Sequence, residues 1–150
     1  MAIGQLHHVG ILAKDLDKAV QFYSEALGLG PFRISEISLD NFVTKGKPAP
    51  FAVKVAFTSI GPIELEFIEV TQAEGEYLHT EFLQKKGEGL RHLSFYVPKL
   101  EDALSHLAKL GIEATSSYRV GDTEILAFLN EDKTFGVAIE LVQAGREEQR

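Results

Sequence analysis

The sequence predicts an α+β fold made of two tandem βαβββ modules, spanning about residues 6–70 and 90–143 of one 150-residue domain. Three observations predict it. Short apolar runs rich in β-branched residues alternate with stretches at helical spacing, in the order β-α-β-β-β, twice. The opening segments match: HVGILAKDLDKAV from His8 lies over HLSFYVPKLEDAL from His92, pairing His8 with His92, Leu16 with Leu100, Asp17 with Glu101 and Ala19 with Ala103. The closing segments match too, with IELEFI from Ile63 over VAIELV from Val137, which pairs Glu66 with Glu140.

Each element has a local reason. Leu6 to Ala13 is an apolar strand. Asp15 or Asp17 can cap the helix that follows, whose Leu16, Ala19, Val20, Tyr23, Ala26 and Leu27 share one face, and Gly28 suits its C-terminal end. Gly30-Pro31 turns the chain into a strand over Phe32 to Leu39. Asp40 to Phe51, rich in Lys, Gly and Pro, reads as a mobile loop. Ala52 to Ser59 and Ile63 to Val70 form a hairpin about Ile60-Gly61-Pro62. A polar linker and short helix occupy Thr71 to Lys86. The second module then runs as a strand over Leu90 to Val97, a helix over Lys99 to Leu110, and strands near Ile112 to Tyr118, Glu124 to Asn130 and Val137 to Val142.

Composition narrows the function. A formal net charge of −7 disfavours nucleic acid and anionic membrane as partners. No apolar run is long enough to span a bilayer, and Met1 to Gln5 does not resemble a signal peptide, so a cytoplasmic protein is expected. The absence of cysteine removes disulfides, thiolate nucleophiles and Cys-based zinc sites. The tail from Gly145 to Arg150 is polar and expected to fray.

The repeat points to chemistry. Each half opens on a histidine and closes on a glutamate, so packing the halves about a shared axis would gather His8, Glu66, His92 and Glu140. Two imidazoles and two carboxylates suit one divalent ion such as Zn, Ni, Co or Mn. Glu64 lies on the same strand face as Glu66 and competes with it as ligand, although the repeat aligns Glu66 with Glu140. His7 has the opposite parity to His8 and is expected outside the site. His79 and His106 are expected on the surface, Arg91 in a surface ion pair, and Lys45 and Lys47 in solvent.

The segments HVGILAKDLDKAVQFYSEALGL, GPIELEFIEV, FLQKKGEGLRHLSFYVPKLEDAL and GVAIELV together resemble the vicinal oxygen chelate superfamily, which groups glyoxalases, bleomycin-resistance proteins and extradiol dioxygenases. The resemblance covers Leu6 to Val142. It is strongest toward methylmalonyl-CoA epimerases and glyoxalase-like members, with Glu81 to Leu93 the most specific stretch. It implies a curved mixed sheet around a metal site, with His8, Glu66, His92 and Glu140 as ligands. It implies Glu140 as the catalytic base and Glu66 as a second acid/base. The activity so implied is a glyoxalase-like lyase or isomerase that moves a proton next to a metal-bound carbonyl, acting on a small carbonyl or thioester substrate, in a homodimer. Methylmalonyl-CoA epimerase is one alternative. An extradiol-type dioxygenase and a metal-free drug-binding resistance protein are others. Two departures from the epimerases stand out: Pro50 at the position counted as a further glutamate, and Arg91 where a second histidine is common.

Overall fold

In a computed structural model of the chain, residues 4–145 are described. Most of the tail expected to fray, and Met1 to Ile3, lie outside them. The first half contains β1 (Leu6–Leu12), α1 (Leu16–Leu27), β2 (Arg33–Leu39), β3 (Val43–Thr44), β4 (Lys47–Pro48), β5 (Phe51–Ile60) and β6 (Ile63–Ala73). After α2 (Leu78–Lys86) the second half follows as β7 (Gly89–Val97), α3 (Leu100–Ala108), β8 (Ala114–Val120), β9 (Thr123–Leu129), a 3-10 turn (Glu131–Lys133) and β10 (Ala138–Gln143). The expected elements are present within a few residues of their ends. Of the two proposed caps, Asp15 serves: its Oδ1 accepts from the Lys18 N–H at 3.1 Å. Gly28 closes α1 at φ 66°, a conformation that costs glycine little.

All ten strands join in one mixed sheet, in the order β2-β5-β6-β1-β7-β10-β9-β8-β3-β4. The two opening strands, β1 and β7, lie antiparallel side by side. Each is flanked on its far side by the closing strand of its own half, running parallel: β6 beside β1, and β10 beside β7. The order is therefore mirrored about the β1–β7 seam, as the repeat requires.

Strand alternation divides the side chains between two faces. Leu16 of α1 packs with Ala56 and Phe67 on one face, and Leu100, Ala103 and Leu107 of α3 pack with Ala127, Leu129 and Leu141. A third cluster, including Leu12, Phe42, Val55, Ile68, Tyr77, Phe128 and Val142, fills the other face. Glu66 shares the face of Ile68 and the third cluster, while Phe67 between them turns to α1.

The segment expected to be a mobile loop is instead pinned. Val43 and Thr44 pair with Ser117 and Ser116 of β8, and the Thr44 and Ser116 hydroxyls lie 3.0 Å apart. Its polar composition conceals Phe42 and Ala49, both buried, which anchor it over the cleft. Lys45 and Gly46 form the tip, with Lys45 paired to Glu76 at 3.3 Å on the surface.

Candidate metal centre

The four central strands each contribute one side chain to a single spot. Gly10 of β1 lies opposite His92 on one side and Glu66 on the other. His8 and Glu140 both lie opposite Ser94. All four candidate residues are buried. His8 Nε2 is 3.0 Å from His92 Nε2, 3.3 Å from Glu66 Oε1 and 3.6 Å from Glu140 Oε1, and His92 Nε2 is 3.4 Å from Glu66 Oε1.

This spacing fits a metal ion. Nitrogen and oxygen donors about 2.0–2.2 Å from an ion, at bond angles of roughly 90–110°, lie about 2.9–3.5 Å apart. The donor atoms of His8, Glu66 and His92 all lie within 4.8 Å of one another. Glu140 meets this group through His8 and is held by the Ser94 hydroxyl, which donates to Oε1 at 2.6 Å. Burial opposes ionisation of Glu66. The charges and hydrogen bonds of His8 and His92 outweigh it and hold the carboxyl well below its ordinary range, the form a ligand needs.

Gly10 makes room for this arrangement. A Cβ there would overlap the His92 ring, meeting Nε2 at 2.7 Å. The ring also stacks on His79 and meets Phe128 edge-on, each with centroids 5.7 Å apart. Its Nδ1 is buried without a hydrogen-bond partner.

Several surrounding residues differ from expectation. His79 is buried beside His92, not on the surface, because α2 folds back against the cleft. Burial, then His92 and Arg91, push its imidazole well below the ordinary value, against a smaller pull from Glu66, so it stays neutral. Arg91 does form an ion pair, but a buried one: its Nη1 and Nη2 donate to Glu131 at 2.5 and 3.4 Å, and its Nε donates to His79 Nδ1 at 3.3 Å. His7 stays outside the donor group, as expected, but its ring touches His8, where pairing is irregular between Leu6 and His8. Glu64 bonds Arg33 at 2.5 Å and stands outside the cluster. His106 is exposed, as expected. Ser94 carried one signal in the sequence, its position two residues beyond His92 on the same face.

Glu66, His92 and Glu140 line a cleft of about 40 Å³ whose apolar walls include Leu39, Phe42, Phe51, Tyr77, Leu126 and Phe128. Burial, reinforced by Glu66 and Glu140 and opposed by Arg91, pushes the Tyr77 hydroxyl well up and keeps it neutral. Pro50 does not face this cleft. Just ahead of β5, it lines an outer pocket with Asp40, Ala52, Gln72 and Glu74, while Val53 and Val55 of β5 line the cleft and Phe51 borders both.

Among the described residues no helix is long and apolar enough to cross a membrane. Known proteins agree with the fold. The chain is 30% identical over 143 residues to the uncharacterized protein YqjC of Bacillus subtilis (strain 168), covering 94% of this chain and 93% of that one. It is also 30% identical over 146 residues to the mitochondrial methylmalonyl-CoA epimerase of Mus musculus, covering 95% of this chain and 74% of the mouse protein. Among solved structures, a Streptomyces coelicolor methylmalonyl-CoA epimerase variant in complex with 2-nitronate-propionyl-CoA superposes with a TM-score of 0.71 at 23% identity, over 96% of both chains. A family model of the Glyoxalase/Bleomycin resistance protein/Dioxygenase superfamily matches residues 7–129. Matched by that model over most of its length, this chain belongs to that superfamily.

Proposed function

We propose that this protein is a divalent-metal-dependent isomerase that removes and returns a proton at the carbon next to the carbonyl of a small acyl thioester. One observation carries the reading: His8, Glu66 and His92, from three adjacent strands, bring their donor atoms within 3.0–3.4 Å of one another beside an apolar cleft, and Glu140 of the fourth strand stands 3.6 Å from His8. The likeness to methylmalonyl-CoA epimerases, which act on a thioester, supports the substrate class.

His8, His92 and Glu66 would hold the ion, with Glu140 completing the set. When bound, the ion polarises a carbonyl and makes the adjacent C–H more acidic. Glu140 is suited to take the proton, because it stands at the edge of the donor group and Ser94 fixes its Oε1. The apolar walls exclude water from the exchanging proton. His79, neutral and buried, offers an imidazole to the same cleft.

A glyoxalase-type reaction is the second reading, and the position of Pro50 favours it. Epimerisation works best with an acid/base on each face of the carbon. The inward positions of β5 are Phe51, Val53 and Val55, none of which transfers protons. A second group would have to come from elsewhere in the lining, from Glu66 or His79. A lyase or isomerase that returns the proton through one carboxylate needs no such partner.

The test is to load the protein separately with Co, Mn, Ni and Zn and supply methylmalonyl-CoA in D₂O, or the hemithioacetal of an α-ketoaldehyde. Metal-dependent deuterium incorporation at the α-carbon of the thioester is expected. Turnover confined to the hemithioacetal would select the second reading. Stoichiometric metal with neither reaction would refute both.

A further inference from the structure

We propose that His7 is a positioning residue that fixes His8 as a ligand, at the centre of a chain Glu64–His7–His8 running from an open groove to the metal centre. This rests on the metal centre proposed above. His7 Nδ1 and His8 Nδ1 lie 2.8 Å apart. Two ring nitrogens at that distance share one proton, so one donates and the other accepts. His8 can offer a lone pair to an ion only at Nε2, the atom that faces His92, Glu66 and Glu140. Its proton then sits on Nδ1 and is donated to His7. His7 in turn carries its own proton on Nε2, which faces Glu64 Oε2 at the ion-pair distance of 3.8 Å.

The outer members of the chain are themselves held. The His7 ring stacks on Tyr96 with centroids 4.3 Å apart and planes 20° from parallel. Glu64 is fixed by Arg33 at 2.5 Å and, more weakly, by the Ser59 hydroxyl at 3.5 Å. Arg33, Ser35, Phe57, Glu64, Tyr96 and His7 line a groove open to solvent. Glu64, a competitor for the ligand role by sequence, acts here two residues removed from the ion.

The other imidazole has no such support. His92 Nδ1 has no hydrogen-bond partner, and its ring is placed by packing against Gly10, His79 and Phe128. A hydrogen bond from the far nitrogen fixes the tautomer of a ligating histidine and raises its basicity. His8 is accordingly the imidazole whose ligation depends on a neighbour, and that neighbour is His7.

The experiment titrates the full chain with Zn²⁺ and Co²⁺ alone, in competition with a chromophoric chelator. His7→Phe keeps a ring against Tyr96 and removes the acceptor. His7→Asn puts an amide oxygen near the place of Nδ1. Loss of such an outer partner typically costs about 10–100-fold in metal affinity. His7→Phe is therefore expected to raise the Kd by about that factor, and His7→Asn to recover most of it. ¹⁵N spectra of the metal-loaded wild type should show His8 protonated at Nδ1 and His7 protonated at Nε2. Equal affinity in wild type and His7→Phe, or a proton on His7 Nδ1, overturns the inference and leaves the metal centre standing. A wild type that binds neither ion overturns both. Should His7→Phe fail to fold, His7→Asn and the ¹⁵N assignment still decide.

Discussion

Replacing Gly10 with alanine adds one methyl group at the tightest point of the structure. Gly10 lies on a strand and is not among the residues at positive φ, so alanine suits its backbone and the cost is steric. The new Cβ would overlap three ring atoms of His92, one at 2.7 Å, where non-bonded carbon contacts prefer about 3.5–4.0 Å. The ring must move by about 1 Å, yet His79 and Phe128 bound it on other sides. Overpacking of this kind costs about 1–3 kcal/mol, equivalent to a Tm lower by about 2–12 °C for a chain of this size. Metal binding suffers as well, since His92 Nε2 leaves its place 3.0 Å from His8 and 3.4 Å from Glu66. We expect at least about a tenfold rise in Kd, comparable to losing an outer-shell partner. Calorimetric titration with Zn²⁺ and thermal unfolding in the presence of chelator measure the two effects separately. Wild-type affinity and Tm in Gly10→Ala would refute the view that Gly10 exists to admit the His92 ring.

Further outcomes follow from neighbouring residues. Glu140→Gln should keep its fold and bind metal but lose about 10²–10⁴-fold in proton exchange, the usual worth of one general base; unchanged exchange with metal bound would exclude Glu140 as the base. Glu131→Ala removes the partner of the buried Arg91 guanidinium. Glu131 is 42% exposed and water can partly replace it, so the cost is about 1–3 kcal/mol, seen as a lower urea midpoint; no change would show that the pair contributes nothing net. In the metal-free protein His79 titrates well below its ordinary value of 6.5. The unfolded chain therefore binds a proton below about pH 6.5 that the folded chain refuses, and stability falls with decreasing pH by up to about 1.4 kcal/mol per unit. Glu66, also depressed, adds a further loss below its ordinary 4.5. Urea midpoints that stay flat between pH 7.5 and 5.5 in chelator would contradict the His79 part.

The repeat was legible because alternation and helical spacing are local signals. Matching His8 with His92 and Glu66 with Glu140 then required only an alignment of the two halves. What escaped depended on contacts between distant segments. The helix carrying His79 folds onto the cleft, and nothing in LHTEFLQKK announces that one histidine of a polar helix will be buried. Arg91 follows for the same reason, because its partner Glu131 lies 40 residues away. Parity rightly left His7 out of the ligand group, but its contact with His8 escaped, because the irregularity between Leu6 and His8 depends on the pairing of β1 with β7. Phe42 and Ala49 were hidden in a Lys/Gly/Pro-rich segment whose composition describes only its exposed side. Pro50, the position counted for a further glutamate, falls outside the cleft, which β5 lines with Phe51, Val53 and Val55.

The mirrored seam between β1 and β7 has a consequence for how this gene can change length. His8 and His92 meet only because Gly10 stands opposite His92 and His8 opposite Ser94. One inserted or deleted codon within β1 would turn alternate side chains to the wrong face, so imidazoles would point toward the helices and apolar residues into the centre. A two-codon change would restore the faces but shift His8 two places along its partner and empty the space beside Gly10. The tip at Lys45 and Gly46 carries no such constraint on register. Length variation among descendants of this sequence should therefore gather at that tip and be nearly absent from the seven residues of β1.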